Sequence, residues 1–132
     1  IHAWCFDFNY SDNDTQKALL ENTVFARIRG NATRFSDCYI DCYQKGFQFD
    51  SGQYLIYITN LKWYIAPNAW PTGLTAYVFP ASPAGKTMYK VFNADINGSG
   101  VTKFSDEDLS TQTNCRWYGI VHNLSDAPST LQ

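Results

Sequence analysis

The run Tyr54-Leu55-Ile56-Tyr57-Ile58 decides the fold class, because five consecutive aromatic or aliphatic residues of this kind are typical of a β-strand. A run without polar alternation predicts a central strand that is buried on both faces. Residues 61–65 repeat the pattern after Thr59-Asn60, and we expect them to pair with the first strand across a tight turn.

Outward from this run, the chain reads mainly as strands. Aromatic residues make up 17% of the 132 residues and favour sheet over helix. Asn97-Gly98-Ser99-Gly100 is a turn signal. Further strands are predicted at 3–9, 47–49, 74–79, 88–92, 101–104 and 116–121.

One helix is predicted near residues 15–29. Leu20, Val24 and Ile28 recur every four residues, Asn13 can cap the first turn, and Gly30 supplies a stop. One helix followed by four to six strands predicts an α+β fold, with the helix packed on an antiparallel β-sheet. The length predicts a single domain over 1–124 and a polar C-terminal tail over 125–132.

Four cysteines in a short chain are typical of a disulfide-stapled protein from an oxidising compartment. Of the three pairings that are open, we favour Cys5–Cys115 together with Cys38–Cys42. The second bridge requires a turn, because an extended strand would hold these two residues about 13 Å apart. A redox centre or a zinc site is the alternative; the spacing of three residues and the presence of only two histidines disfavour both, so neither cofactor nor metal is expected.

Five glycosylation sequons also favour a secretory route; they begin at Asn9, Asn13, Asn31, Asn97 and Asn123. The net charge of −2 gives no sign of a broad basic face. No apolar run approaches the roughly 20 residues of a membrane span, so no membrane partner is expected.

Several landmarks, taken in order, give the chain a resemblance to the fungal guanyl-specific ribonucleases. An early cysteine precedes a helix, and a late cysteine follows the last motif. The intervening motifs are Gly-Phe-Gln-Phe at 46–49, Tyr-Leu-Ile-Tyr at 54–57, Ser-Pro at 82–83, Tyr-Lys-Val-Phe-Asn at 89–93 and Gly-Val-Thr-Lys-Phe at 100–104. The resemblance implies a microbial ribonuclease-like fold.

The catalytic groups of that family are not matched. Its glutamate base falls within 54–58, which holds no acid, and its histidine acid falls at Lys103 or Phe104. Lys90 stands at the arginine position, and Tyr39 at the tyrosine position. We therefore predict a pseudoenzyme without catalytic residues.

A ribonuclease-like scaffold without its acid and base resembles the ribonuclease-like secreted effectors of powdery mildew fungi. That resemblance implies a monomeric virulence protein, delivered into the host cytoplasm, that binds a host protein or, more weakly, RNA. It also implies avirulence, through recognition by a plant immune receptor. The expected binding residues are Tyr39, Trp63, Tyr64, Trp70, Lys90 and Lys103.

Three interpretations stay open at this point. Trp63 and Trp70 are equally well explained as core residues. An active ribonuclease with a displaced site, using Lys90 and His122, is the second hypothesis for function. A secreted, β-rich carbohydrate-binding protein is the third, suggested by the aromatic content alone.

Overall fold

A computed structural model describes residues 1–4, 13–50, 54–66, 70–80, 89–106 and 115–124. These residues form one helix, α1 (Asn13–Leu20), and nine strands. The strands are β1 (His2–Trp4), β2 (Val24–Ile28), β3 (Arg34–Asp41), β4 (Lys45–Phe49), β5 (Ile56–Tyr64), β6 (Ala76–Tyr77), β7 (Tyr89–Asn97), β8 (Thr102–Lys103) and β9 (Cys115–His122).

The strands form two sheets, and every strand pair is parallel. The first sheet has five strands in the order β1-β3-β5-β7-β9, and the second has four in the order β2-β4-β6-β8. Odd-numbered strands lie in one sheet and even-numbered strands in the other, so the chain crosses between the sheets after each strand. This path is a β-solenoid, in which each coil stacks on the coil before it.

The predicted antiparallel sheet, and with it the ribonuclease-like α+β fold class, is therefore wrong. Residues 54–58 and 61–65 do not form a hairpin: Ile56 to Tyr64 is one continuous strand, with β3 on one side and β7 on the other. Asn60 has φ 53°, and this left-handed residue bends the strand without reversing it. Ile56, Tyr57 and Ile58 lie in a central strand as predicted. Tyr54 and Leu55 precede that strand and are 47% and 49% exposed, so the prediction of a run buried on both faces is wrong, as are its predicted pairing partners.

The predicted helix is also wrong in its extent. Helix α1 ends at Leu20, Asn22 takes φ 69°, and β2 begins at Val24. A spacing of four residues fits one face of a strand as well as one face of a helix, so the apolar pattern did not separate the two. Asn13 lies within the helix, and its side-chain oxygen accepts a hydrogen bond from the Thr72 amide at 2.9 Å. In the described parts of the chain, no helix is long and apolar enough to cross a membrane.

The core lies between the two sheets and is largely aromatic. Tyr89 stacks on Phe49 at 4.8 Å and on Phe79 at 5.2 Å, and Trp117 meets its ring edge-on at 5.7 Å. Phe79 also stacks on Phe47 of the preceding coil at 5.8 Å. All five side chains are buried, so ring packing connects successive coils through the interior.

A column of left-handed residues bends four strands of the five-stranded sheet, β3, β5, β7 and β9, at the same level. Asp37, Asn60, Asn93 and Gly119 have φ values of 54°, 53°, 55° and 64°. The Asn60 amide donates to the Asp37 carboxylate at 2.9 Å, and the Asn93 amide donates to the Asn60 side-chain oxygen at 3.4 Å. A Cβ on Gly119 would lie 3.0 Å from the Asn93 side-chain oxygen. Glycine has no Cβ and adopts positive φ readily, so it suits the last position of the column. We call these four residues the bend ladder.

One glycine allows β4 to pack closely against both its lateral neighbour and the opposite sheet. A Cβ on Gly46 of β4 would lie 2.3 Å from the carbonyl oxygen of Val78 and 2.8 Å from the ring of Trp63. Trp63 belongs to the opposite sheet and is fully buried, and the Val78 contact is backbone, so neither neighbour is free to move.

We expect Asn60→Ala to lower the free energy of unfolding by about 2 kcal/mol, because it loses the ladder hydrogen bonds and places an ordinary residue at positive φ. Asn60→Gly keeps the conformational freedom and loses only the hydrogen bonds, so we expect a loss of about 1 kcal/mol. Urea unfolding of both variants measures the difference. Equal losses would show that backbone conformation contributes nothing at this position.

We expect Gly46→Ala to lower the free energy of unfolding by about 1–3 kcal/mol, because the added methyl group overpacks the space between the sheets. Gly30→Ala is the matched control: the nearest atom to a Cβ there is 4.0 Å away. Thermal unfolding of the two variants in parallel tests the prediction, which fails if both behave like the parent protein.

Candidate functional site

The outer face of the five-stranded sheet carries regular columns of side chains. Parallel pairing places Arg34, Tyr57, Lys90 and Arg116 in one column, and Ser36, Thr59, Phe92 and Tyr118 in the next. These residues alternate with buried Ile58, Val91 and Trp117, so they point away from the core. We call the two columns together the cationic strip.

The bend ladder separates the cationic strip from a second pair of columns on the same sheet. One column contains Tyr39, Lys62, Asp95 and Val121, and the other contains Asp41, Tyr64 and Asn97. We call this second surface the mixed strip.

The two strips differ sharply in charge. The cationic strip holds three cations and no carboxylate among its eight residues, whereas the mixed strip holds one lysine and two aspartates. Arg34, Lys90 and Arg116 are all exposed. Neighbouring strands lie about 4.8 Å apart, so the cations follow a line across the sheet roughly 14 Å long. The local positive surface exists although the whole chain carries a net charge of −2.

Short-range contacts hold the side chains of the cationic strip in place. The guanidinium of Arg34 lies 5.8 Å from the ring centroid of Tyr57. Phe92 and Tyr118 stack with 5.0 Å between centroids and 10° between planes. The Thr59 hydroxyl donates to the Ser36 hydroxyl at 3.1 Å. Six of the eight side chains of the strip are therefore positioned by contacts with one another.

The mixed strip is organised around Tyr39. His2 meets its ring edge-on at 4.6 Å, and the Lys62 ammonium lies 5.9 Å from its centroid. Partial burial, followed by the nearby Asp41 carboxylate, raises the pKa of the Tyr39 hydroxyl above its ordinary value. Tyr39 thus stays neutral across the physiological pH range.

The residues predicted to bind a partner do not form one site. Lys90 lies on the cationic strip, and Tyr39 and Tyr64 lie on the mixed strip. Lys103 is exposed on β8 of the other sheet. Trp63 is fully buried and Trp70 is 6% exposed, with its ring nitrogen donating to the Leu74 carbonyl at 2.6 Å. Both tryptophans are therefore core residues, and their prediction as exposed binding anchors is wrong.

The predicted Cys38–Cys42 bridge is wrong as well. Neither residue is in a disulfide, and both are buried. Strand β3 runs from Arg34 to Asp41, so Cys38 lies in extended backbone and the turn that the bridge required is absent at that position. The Cys42 thiol donates instead to the Asp41 carboxylate at 2.8 Å. Cys5 lies outside the described residues, so the Cys5–Cys115 bridge stays a prediction, and no disulfide stapling is found in the described part of the chain.

The groups of the displaced ribonuclease site lie far apart. Lys90 pairs with Arg116 and points outward, whereas His122 pairs with Ile96 and continues the inward column. Roughly 20 Å of strand separates the two positions. The His122 Nδ1 accepts a hydrogen bond from the Leu124 amide at 3.3 Å. Within the described ranges, no three potential metal ligands cluster.

Sequence reasoning missed most of the cationic strip. Three of its residues are far apart along the chain: Arg34, Tyr57 and Arg116. What they share is their sequence separation from a residue with positive φ. Each precedes a bend-ladder residue by three positions, as Lys90 does. Asp37, Asn60 and Asn93 are residue types that tolerate positive φ, and this recurrence was the one signal available.

Comparison with protein-family models, with curated proteins and with solved structures finds no significant match for this chain.

We expect Cys38 and Cys42 to resist alkylation by iodoacetamide in the folded protein and to react fully after unfolding. Burial shields both thiols, and it also raises the pKa of Cys38, which lowers the fraction of reactive thiolate. Peptide mass mapping after labelling distinguishes these thiols from Cys5 and Cys115. Recovery of a cross-linked peptide joining Cys38 to Cys42 from unreduced protein would contradict the free-thiol assignment.

Proposed function

We propose that this protein is a secreted, non-catalytic binding protein that holds an anionic partner against the cationic strip. The observation that carries the proposal is the charge pattern of the strip: Arg34, Lys90 and Arg116 point from one face, with no carboxylate in their two columns. Arg34 and Lys90 lie two strands apart, about 9.6 Å, so an anion bound between them is attracted by both charges.

The geometry favours binding over catalysis. The strip residues project from the outer surface of a continuous sheet, and the described histidines point elsewhere: His2 packs against Tyr39, and His122 continues the inward column. General acid–base catalysis needs a proton donor or acceptor within hydrogen-bond reach of the reacting group. The strip offers cations and hydroxyl groups, which suit recognition of charge.

Two parts of the proposal rest on the sequence alone. Secretion is supported by the five sequons. A host molecule as the partner, including a plant immune receptor, stays a prediction from the sequence motifs, because the ribonuclease-like scaffold that suggested it is not the fold found here.

Inorganic polyphosphate tests the proposal as a linear anion without bases or sugars. We expect Arg34→Gln combined with Lys90→Gln to weaken polyphosphate binding about tenfold, because two charge-assisted contacts are lost. Fluorescence anisotropy of labelled polyphosphate measures the affinity. Repeating the titration at rising salt concentration measures how strongly salt screens the interaction.

The matched control combines Lys62→Gln with Lys103→Gln, which removes the same charge from exposed positions outside the strip. We expect this control to bind polyphosphate nearly as tightly as the parent protein. Equal weakening in both double variants, or no binding by the parent protein, would overturn the proposal.

A further inference from the structure

We infer that the ligand of the cationic strip is an acidic polysaccharide, whose carboxylate or sulfate groups lie along the column of cations. The inference rests on the proposed function and deepens it by naming the chemical class of the partner. It follows from three features of the strip: its line of charge, its hydroxyl groups, and the way its aromatic rings are used.

The line of charge fits a polymer with anions at regular intervals. Lys90 and Arg116 occupy adjacent strands, and Arg34 lies two strands from Lys90. The cations therefore sit at multiples of the strand spacing of about 4.8 Å, and the backbone of the sheet fixes these positions. A chain of acidic sugars that crosses the strands can bring successive anionic groups to successive cations. Arg116 takes part in a further interaction within the protein, so the test uses Arg34 and Lys90.

Hydroxyl groups lie on the same strands as two of the three cations, whereas Lys90 has Phe92 in the adjacent column. Ser36 and Thr59 form the adjacent column on β3 and β5, and Tyr118 extends it on β9 and is 39% exposed. Hydroxyl groups both donate and accept hydrogen bonds, as the hydroxyl groups of a sugar do. A polyol backbone with anionic substituents matches both columns at once.

The aromatic rings argue against single-stranded RNA, the other polyanion of this general shape. Sequence-tolerant binding of single strands uses exposed ring faces on which successive bases stack. In the strip, Phe92 and Tyr118 cover a face of each other, and the Arg34 guanidinium lies over Tyr57. The rings therefore do not form a series of open stacking platforms, whereas the cations do form a series.

Polygalacturonate is the test ligand, and its fully methyl-esterified form is the matched control ligand because it has the same sugar chain without the charges. We expect the parent protein to bind polygalacturonate and to bind the esterified polymer at least tenfold more weakly, measured by isothermal titration calorimetry at low salt. Arg34→Gln with Lys90→Gln is expected to weaken polygalacturonate binding about tenfold, and Lys62→Gln with Lys103→Gln less than twofold.

Poly(U) and poly(A) RNA at the same ionic strength complete the experiment. The inference predicts weaker binding to both RNAs than to polygalacturonate, and no gain from poly(U) to the better-stacking poly(A). Tighter binding of either RNA would overturn the polysaccharide assignment and would make the strip a nucleic-acid surface. Equal binding of the charged and esterified polymers would overturn the role of the cations.

The outcomes separate this inference from the function on which it rests. Polyphosphate binding that depends on Arg34 and Lys90, without polygalacturonate binding, would refute the polysaccharide and leave the anion-binding function standing. Loss of dependence on these two residues for both ligands would refute both. Unchanged midpoints of thermal unfolding for the two double variants confirm that each has folded.

Discussion

The bend ladder is the constraint on which the rest of the structure depends. Every long strand of the five-stranded sheet from β3 to β9 passes through a left-handed residue at the same level, and side-chain hydrogen bonds join Asp37, Asn60 and Asn93 across the strands. An extra residue in a strand changes which side chains point inward. Because all four strands bend together, the inward columns stay continuous on both sides of the ladder, and the aromatic core can stack from coil to coil.

The same ladder creates the candidate site. It divides the outer face into two strips that share strands and yet differ in charge, so the cationic residues before the bend are kept apart from Asp41 and Asp95 after it. Parallel stacking then turns residues from distant parts of the chain into neighbours. Arg34, Lys90 and Arg116 belong to three separate coils, and their alignment is a property of the backbone register rather than of any local motif.

Part of this architecture was accessible from the sequence and part was not. Strand positions 47–49, 56–58, 89–92 and 116–121 were located because aromatic and β-branched runs depend on local pattern. The pairing of the strands was not predicted. A solenoid is usually recognised by a fixed repeat length, whereas stacked residues in this chain lie 23, 33 and 26 positions apart. Helix and strand were also confused at Val24 and Ile28, where a spacing of four residues satisfies both periods. Of the six residues predicted to bind, only Lys90 lies on the cationic strip. The residues of a column that runs across strands are far apart in the sequence, so no local motif marks them.

The unequal coils have a consequence for how such a protein changes over time. The segment that carries the chain from Tyr64 to Ala76 is one of the excursions that lengthen a coil, while the paired positions on either side keep their register. Trp70 and Leu74 of this segment are buried in the core, so insertions and deletions are tolerated at its exposed positions, where the register of the ladder is unaffected. The paired strands and the segments that connect them are therefore free to evolve at different rates. New surfaces can arise at the edges of the coils while the charged columns on the flat face persist.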